Sequence, residues 1–345
     1  MKILIKPFDT LFFRDGKPFD MGEETIASTN YLPSPSTIHG ALTSLLISQN
    51  KVPLDEAKKL KNSIKITDIS IVKDNEILYP IPLDILIDEE ENKAYLLNKN
   101  SEKIFHNINN IKNLLFTDKT SLKSKNVFIS EVDLEDYLNN KKEIYYENEI
   151  YSYEYKIGIG LNRKTNTVEE GKLYRVPLVR LDDEVKFIVE FEILNEEFKN
   201  ISLNDLGYIK LGGENKVSFY KKVSNVNHQM EINKDKFKGI FKLYLKTPAI
   251  FKNGYIADWM LKGEYKGLTF NFLTCTVGRY KTIGGFDMKD NKIKTTLKAV
   301  PEGSVYYFET KETDLEKITQ VFEEESISDF YKNEGFGLVL VGIGG

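Results

Sequence analysis

The chain has 345 residues, of which 41% are hydrophobic and 12% aromatic, which is enough apolar side chain for packed cores and argues against a disordered polypeptide. This length predicts two domains rather than one. The net charge of -4 gives no overall attraction for a polyanion, so any nucleic-acid site has to be a local basic patch.

Cysteine and histidine are scarce. Cys275 is the only cysteine, which excludes an internal disulfide and predicts a reducing, cytoplasmic location. Three histidines and the absence of the common zinc and phosphate-loop motifs argue against a metal or nucleotide enzyme. We expect no membrane association, because no run of roughly 18 apolar residues occurs.

A stretch near the start of the chain returns in weaker form in its last third. Residues 2–16 read KILIKPFDTLFFRDG, and residues 242–254 read KLYLKTPAIFKNG. Each copy combines an apolar strand with lysine, proline, an aromatic residue, a second basic residue and glycine. Two related domains are therefore predicted, at residues 1–235 and 236–345, although chance similarity of two apolar strands is the alternative.

The first half begins with a strand at residues 3–5, followed by a helix that starts at Ser34 and Pro35, an N-cap with proline in the first turn. The free N–H groups of Ser36 and Thr37 form a candidate phosphate seat. His39 lies at the edge of the apolar stripe and is either a general base for RNA cleavage or, as we favour, a structural or RNA-contacting residue.

Strands are predicted at residues 65–72 and 77–86, the second interrupted by prolines. Residues 88–148 are rich in Lys, Asn and Glu, which predicts a peripheral insertion with a short helix at 134–139.

Residues 151–161 alternate apolar and polar side chains, and residues 173–181 follow a turn, which predicts a β-hairpin over 151–181 with one apolar face. Basic and hydroxyl side chains concentrate at its tip and along its return strand. This concentration favours an electrostatic contact over the alternative, protection of a sheet edge against aggregation.

Each half ends with the same series: a helix, a glycine loop and a last strand. Helices are predicted at 195–206 and 315–330, and strands at 216–223 and 338–341. Such a series is typical of ferredoxin-like βαββαβ domains, so the predicted fold class is α+β. Glycine in these loops lets a polymer backbone approach main-chain N–H donors, although a tight turn needs glycine too.

Seven blocks of the sequence resemble one known family. They are PFDTLFFRDGKPF (7–19), YLPSPSTIHGAL (31–42), YPIPLD (79–84), IGLNRKTNTVEEGKLY (159–174), LGGE (211–214), GGFDMKDNKIKTTLKAVPEGSVYYFE (284–309) and GFGLVLVG (335–342). These blocks are similar to the third subunits of type III-B CRISPR (Cmr) effector complexes, in the group of the RAMP superfamily that binds the 5′ tag of CRISPR RNA (crRNA).

The resemblance implies two ferredoxin-like, RRM-like RAMP domains with glycine-rich loops and an inserted hairpin thumb. It implies a non-catalytic subunit that grips the crRNA 5′ tag, docks on the large polymerase-like subunit, lies beside a backbone RAMP subunit and meets target RNA only indirectly. No metal or cofactor of its own is implied, although family members can share a nucleotide site with the large subunit. The chain departs from the family at Asn215 and Lys216, where arginine is expected, and at Phe286, where tryptophan is expected.

The candidate RNA-binding residues come from the glycine loops, the helix start, the hairpin and the basic segment at 278–287. They are Arg14, Ser36, Thr37, His39, Arg163, Lys164, Thr165, Arg175, Arg180, Gly212, Gly213, Lys281, Gly284, Gly285, Gly335, Phe336 and Gly337. Two alternatives remain open. One is a metal-independent RAMP endoribonuclease that processes CRISPR RNA with His39, and the other is a structural subunit whose basic patches meet acidic protein.

Overall fold

The computed structural model describes residues 1–14, 29–88, 93–100, 114–116, 127–141, 144–146, 150–162, 164–165, 167–224, 230–287, 292–293 and 295–344. These residues form two larger antiparallel sheets, each with its own core, and a long hairpin.

The helices are α1 Pro35–Asn50, α2 Ala57–Ser63, α3 Glu131–Leu138, α4 Asp258–Lys262 and α5 Leu315–Glu323, with 3₁₀ turns at Glu196–Phe198, Lys234–Lys236 and Lys332–Glu334. The strands are β1 Lys2–Pro7, β2 Ile64–Lys73, β3 Glu76–Pro80, β4 Ile85–Asp88, β5 Lys93–Leu96, β6 Asn98–Asn100, β7 Leu114–Phe116, β8 Phe128–Ser130, β9 Tyr151–Leu161, β10 Val168–Leu181, β11 Lys186–Ile193, β12 Leu206–Lys210, β13 Val217–Lys222, β14 Ile240–Leu245, β15 Glu264–Tyr265, β16 Leu268–Thr269, β17 Asn271–Thr276, β18 Lys281–Ile283, β19 Phe286–Asp287, β20 Lys292–Ile293, β21 Leu297–Ala299, β22 Val305–Glu309 and β23 Val339–Ile343.

The N-terminal sheet has the strand order β12-β13-β1-β11-β2-β3-β8, and α1 packs on one of its faces. Ser34 begins the helix as predicted, because its Oγ accepts the N–H of Thr37 at 3.3 Å. Ile38 and Leu42 of α1 and Ile3 of β1 are at most 1% exposed. The apolar stripe that predicted the helix therefore forms the first core.

The C-terminal sheet has the strand order β17-β22-β14-β23. Its core is aromatic: the ring of Phe241 stacks on Phe308 at 5.1 Å, and Phe322 of α5 is fully buried against them. The two copies of the repeated sequence start at equivalent places, since β1 and β14 are both inner strands with a partner on each side.

Two predicted helices differ from the structure. Residues 195–206 contain only the 3₁₀ turn Glu196–Phe198, because side chains at the end of α1 bind the backbone that follows: Asn50 Oδ1 accepts the N–H of Ser202 at 3.2 Å. The helix predicted over 315–330 ends at Glu323, and Ser328 beyond it hydrogen-bonds the N–H of Ile250 at 2.9 Å instead.

The prediction that residues 88–148 are peripheral is wrong for the part that contains β8 and α3. Phe128, Ile129, Leu134, Tyr137 and Leu138 are at most 1% exposed. Ile129, Leu134, Tyr137 and Leu138 form a third core together with residues of the C-terminal sheet, whereas Phe128 belongs to the first core. This segment therefore joins the two halves of the chain.

At the centre of this third core lies a polar cluster, the Asp84 cluster, formed by Asp84, Tyr137, Lys242 and Tyr307. The hydroxyl of Tyr137 donates to the Asp84 carboxylate at 2.8 and 2.9 Å, and the hydroxyl of Tyr307 donates to it as well. Lys242 Nζ donates to Tyr137 O at 2.6 Å and lies 3.5 Å above the Tyr137 ring. Burial raises the pKa of Asp84 and lowers the pKa of Lys242 to about 8.

The glycine loop of the C-terminal half also lies where the two halves of the chain meet, which we call the junction. Gly335 has a φ of +93°, and a Cβ there would lie 2.9 Å from Cγ2 of Ile66 in β2. Glycine is required at this position because the loop and the N-terminal sheet approach each other so closely.

The Asp84 cluster predicts a distinct pH dependence of stability. The pKa of Lys242 is about 8 when folded and near 10.5 when unfolded, so the unfolded chain binds more protons between these values and stability rises with pH across the interval. Chemical denaturation from pH 7.5 to 9.5 should therefore show a larger rise in unfolding free energy for wild type than for Lys242→Met. Lys311→Met, at an exposed lysine, should follow wild type, and parallel curves for Lys242→Met and wild type would contradict the argument.

The close approach at Gly335 is tested by comparing Gly335→Ala with Gly254→Ala. Gly254 has a similar φ of +98° but no atom within 4 Å of its added Cβ. Both variants carry backbone strain of about 1–2 kcal/mol, and Gly335→Ala should be destabilised by roughly 1–3 kcal/mol more, because Ile66 is a buried core residue. If urea unfolding shows equal destabilisation of the two variants, the contact between Gly335 and Ile66 can relax without cost and the argument is wrong.

Candidate nucleic-acid interface

The predicted hairpin consists of β9 and β10, paired antiparallel from Tyr151 opposite Leu181 to Leu161 opposite Val168. At its tip, Asn162 Oδ1 accepts the N–H of Lys164 at 2.9 Å, and both Lys164 and Thr165 are exposed. Arg163 lies outside the described residues. Eleven residues of extended chain place the tip roughly 33 Å from the start of the hairpin, so tip and base are separate parts of any binding surface.

The hairpin has the predicted apolar face, and beyond the base that face is exposed in the isolated chain. Tyr155 and Ile157 are both 62% exposed, and Ile159 is 48% exposed. Near the base both faces pack: Val176 and Leu178 on the opposite face are buried beside Phe12, and Tyr151, Val179 and Leu181 on the apolar face are buried in the first core. An exposed apolar strip of this kind marks an interaction surface.

The base of the hairpin is fixed by the segment that follows β1. Leu11 and Val179 exchange two backbone hydrogen bonds of 2.7 and 2.8 Å. On the other side, Gly213 donates its N–H to Phe12 O at 2.8 Å, and a Cβ on Gly212 would lie 2.5 Å from that oxygen. Three distant parts of the sequence therefore meet here: the start of the chain, the hairpin and the first glycine loop.

This packing corrects one expectation about the first glycine loop. The N–H of Gly213, predicted to be available to a phosphate, is already donated inside the chain. Gly212 and Gly213 instead allow the close approach to Phe12 that positions the hairpin.

Charged side chains at this point form an ion-pair network, the hairpin base, made of Asp9, Glu154, Lys156, Arg180, Glu214 and Lys216. Arg180 Nη2 donates to Asp9 at 3.0 Å and Arg180 also binds Glu154, while Lys156 reaches Glu214 at 3.1 Å and Lys216 lies 3.7 Å from Asp9. Hydrogen bonds to Glu154 and Asp9 raise the pKa of Arg180, and that to Glu154 lowers the pKa of the glutamate. Arg180 therefore positions the hairpin.

Two predicted cations near the hairpin base are not paired in this way. Arg14 and Arg175 are exposed and make no ion pair with another described residue. Arg14, two residues beyond Phe12, forms an isolated β-bridge with Thr29, and Arg175 lies opposite Ile157 in the hairpin. Their charge is therefore available to a phosphate.

The start of α1 does not provide the predicted phosphate seat. The hydroxyl of Ser36 donates to the carboxylate of Glu334, in the turn before Gly335, and the N–H of Thr37 is bound by Ser34. His39 is 2% exposed, with Nε2 3.1 Å from Ile64 O. The expected RNA contact of His39 is therefore corrected, because the apolar packing of α1 turns this side chain into the core.

The second glycine loop and Lys281 also have internal partners, at the junction between the two halves. Gly335 and Gly337 donate their N–H groups to Lys332 O and Pro248 O, and Phe336 is fully buried. Lys281 binds the buried carboxylate of Glu302. Burial raises the pKa of Glu302, but the Lys281 ammonium outweighs that effect and holds the pKa below its usual value. These residues stabilise the fold here, whereas RNA contacts of Gly284 and Gly285 remain predictions.

Among the residues that the structure describes, no group of three or more His, Cys, Asp or Glu side chains is arranged to hold a metal ion. Within the same residues, no helix is long and apolar enough to cross a membrane.

Sequence reasoning missed the acidic members of the hairpin base. Asp9 and Arg180 are 171 positions apart, and no local pattern links them. It also missed the exposed aromatic side chains Phe8 and Tyr208 beside β12 and β13. The only signal for them was the short alternation in residues 206–210 and 217–222.

The two arginines of the hairpin strand β10 offer a matched test of positioning. Arg180→Gln and Arg175→Gln remove the same charge from the same strand, but only Arg180 is bound by carboxylates. Hydrogen exchange of the amides in β9 and β10 should accelerate in Arg180→Gln, by roughly two- to fivefold for one exposed ion-pair site, and stay at the wild-type rate in Arg175→Gln. Equal exchange in both variants would mean that the network does not hold the hairpin.

Comparison with known proteins shows which proteins this chain resembles in sequence and in fold. The chain is 23% identical over 348 residues to the CRISPR system CMR subunit Cmr3 of Saccharolobus solfataricus, covering 97% of this chain and 94% of that protein. Its fold is similar to that of a chain in a cryo-EM structure of Type III-B Cmr-beta bound to cognate target RNA, with a TM-score of 0.54, 19% identity and coverage of 98% and 96%. A second such structure, with AMPPnP, gives a TM-score of 0.53 at 20% identity, with coverage of 89% and 86%.

The family described as CRISPR-associated protein (Cas_Cmr3) matches residues 3–343, which include both sheets, the hairpin and the junction. The resemblance found in the sequence is thereby confirmed, and the chain belongs to the Cas_Cmr3 family of CRISPR-associated proteins.

Proposed function

We propose that this chain is a non-catalytic RNA-binding subunit of a type III-B effector complex, which grips the crRNA 5′ tag and docks on the large polymerase-like subunit beside a backbone RAMP subunit. The observation that carries the proposal is the hairpin, anchored at its base by Arg180 and presenting Lys164 and Thr165 at an exposed tip. The family match over nearly the whole chain supports it.

The fold supports the same reading. In the N-terminal half the strands β13-β1-β11-β2, and in the C-terminal half the strands β23-β14-β22-β17, follow the order 4-1-3-2 of a βαββαβ unit. We propose that both halves are ferredoxin-like, with the second helix of the first half reduced to the short turn at Glu196–Phe198. The boundary near residue 235 belongs to this proposal.

Partner binding is supported by the bare apolar face of the hairpin. Tyr153, Tyr155, Ile157, Ile159 and Leu161 are between 41% and 62% exposed. A strand face this apolar is costly to leave in water. A neighbouring subunit that covers it in the assembled complex accounts for the pattern.

The alternative, an endoribonuclease that uses His39, is disfavoured by burial. A general base has to reach the proton that it removes, and His39 is 2% exposed inside the first core. The proposed subunit therefore leaves the bound RNA intact.

The test is fluorescence anisotropy of the full chain with a repeat-derived 5′-tagged RNA and a scrambled-tag control, with and without the large subunit. Tagged RNA should bind more tightly, and removal of one phosphate-binding cation should reduce the slope of log affinity against log salt by about 0.7. Lys164→Gln should show that reduction with roughly two- to fivefold weaker binding, whereas Lys311→Gln, at an exposed lysine away from the hairpin, should not.

A gel of the same samples should show uncut RNA for wild type and for His39→Gln. Equal affinity for tagged and scrambled RNA, with or without the large subunit, would overturn the tag assignment. A discrete product that disappears in His39→Gln would instead establish the processing enzyme.

A further inference from the structure

The outer face of the N-terminal sheet, the face opposite α1, carries exposed aromatic side chains near its β12 edge. Phe8 is 62% exposed and Tyr208 is 68% exposed. Their ring centroids lie 5.8 Å apart, and the ring of Phe219 lies 6.4 Å from that of Tyr208. We call these three side chains the outer aromatic face.

The strand register explains why the rings stand on one side of the sheet. Tyr208 of β12 lies opposite Phe219 of β13, which lies opposite Lys6 of β1. The neighbours that point the other way, Ile209 and Tyr220, are buried under α1 at 2% and 0% exposure. Side chains of directly paired residues share a face, so the aromatic row and its lysine all point to solvent.

Unpaired cations flank the row. Lys221 lies opposite Leu206, two register positions from Tyr208 and on the same face, and Lys210 ends β12 on the other side. Both are exposed, and neither makes an ion pair with another described residue. Lys6, in the same row, reaches its acidic neighbour Glu184 only at 4.0 Å. The outer aromatic face therefore combines exposed aromatic rings with positive charge.

The outer aromatic face continues directly from the hairpin base. Phe8 precedes Asp9, which Arg180 and Lys216 bind, and Lys210 precedes the glycine loop that contacts Phe12. A single extended polymer can therefore pass from the hairpin base onto the sheet.

We propose that the outer aromatic face binds single-stranded RNA, with bases stacked on Tyr208 and Phe8 and phosphates beside Lys210 and Lys221. Interleaved aromatic and basic side chains are what an unpaired strand requires, because every base has a π-face and every linkage carries a charge. An apolar protein partner would have to bury the lysine ammonium groups that lie among the rings, which is unfavourable. RNA is therefore the favoured occupant. The inference rests on the proposed RNA-binding function and gives it a second contact region.

The experiment measures binding of the full chain to the tagged RNA and to a short fluorescent oligouridine, both by anisotropy. Tyr208→Ala should weaken both affinities at least about fivefold, and Tyr208→Phe, which keeps the ring, should bind as wild type. Tyr145→Ala is the matched control, because Tyr145 is 75% exposed on another part of the surface. Ultraviolet crosslinking with mass spectrometry should place uridine on Phe8 or Tyr208.

The outcomes separate this inference from the proposed function. If wild type binds tagged RNA and Tyr208→Ala binds it equally well, without a crosslink to either ring, the outer aromatic face is not an RNA site and the proposed function stands. If wild type binds neither RNA, with or without the large subunit, both fail. If Tyr208→Ala keeps RNA binding but no longer binds the large subunit, the face is a protein interface and the inference is overturned.

Discussion

One buried carboxylate fixes how the two halves of this chain meet. Asp84 has no access to solvent and accepts hydrogen bonds from Tyr137 and Tyr307, one from each side of the junction. A buried charge is tolerated only when its partners surround it, so the geometry of the cluster leaves little freedom to either sheet. Desolvation raises the pKa of Asp84 and lowers the pKa of Lys242, so the charged form of each group is buried at a cost that its partners offset.

The fixed junction decides which basic residues remain available. Lys246 binds Asp68 and Lys281 binds Glu302, so the cations between the sheets are neutralised. Glu334 accepts a hydrogen bond from the Ser36 hydroxyl at the start of α1, where the helix dipole favours an anion. Charge without an ion-pair partner among the described residues is left on the hairpin side, at Arg14 and Arg175, and on the outer face of the first sheet. A chain with a net charge of -4 can thus present local basic surfaces to RNA.

Two groups of exposed apolar side chains adjoin the hairpin base. They are the hairpin strip and the outer aromatic face, and both are bare in the isolated chain. Surfaces of this kind are expected of a subunit that completes its packing in an assembly. Arg180 and the first glycine loop act as positioning elements, because their internal contacts hold these surfaces in a defined relation.

Much of the fold could be predicted because its signals are local. The Ser34–Pro35 start of α1, the alternation of β9, the strand that opens each half and the family resemblance all depend on neighbouring residues. The failures have one physical cause, which is that contacts between distant segments override local preference. Asn50 binds the backbone N–H of Ser202 where a helix was expected, packing against the C-terminal sheet buries α3, and internal partners accept the N–H groups of Gly213 and Gly337. The sequence by itself determined the hairpin, the strand that opens each half, the first helix and the family. Only the tertiary structure decided which glycines and cations are free, because that depends on which group fills each hydrogen bond and ion pair once the two halves have met.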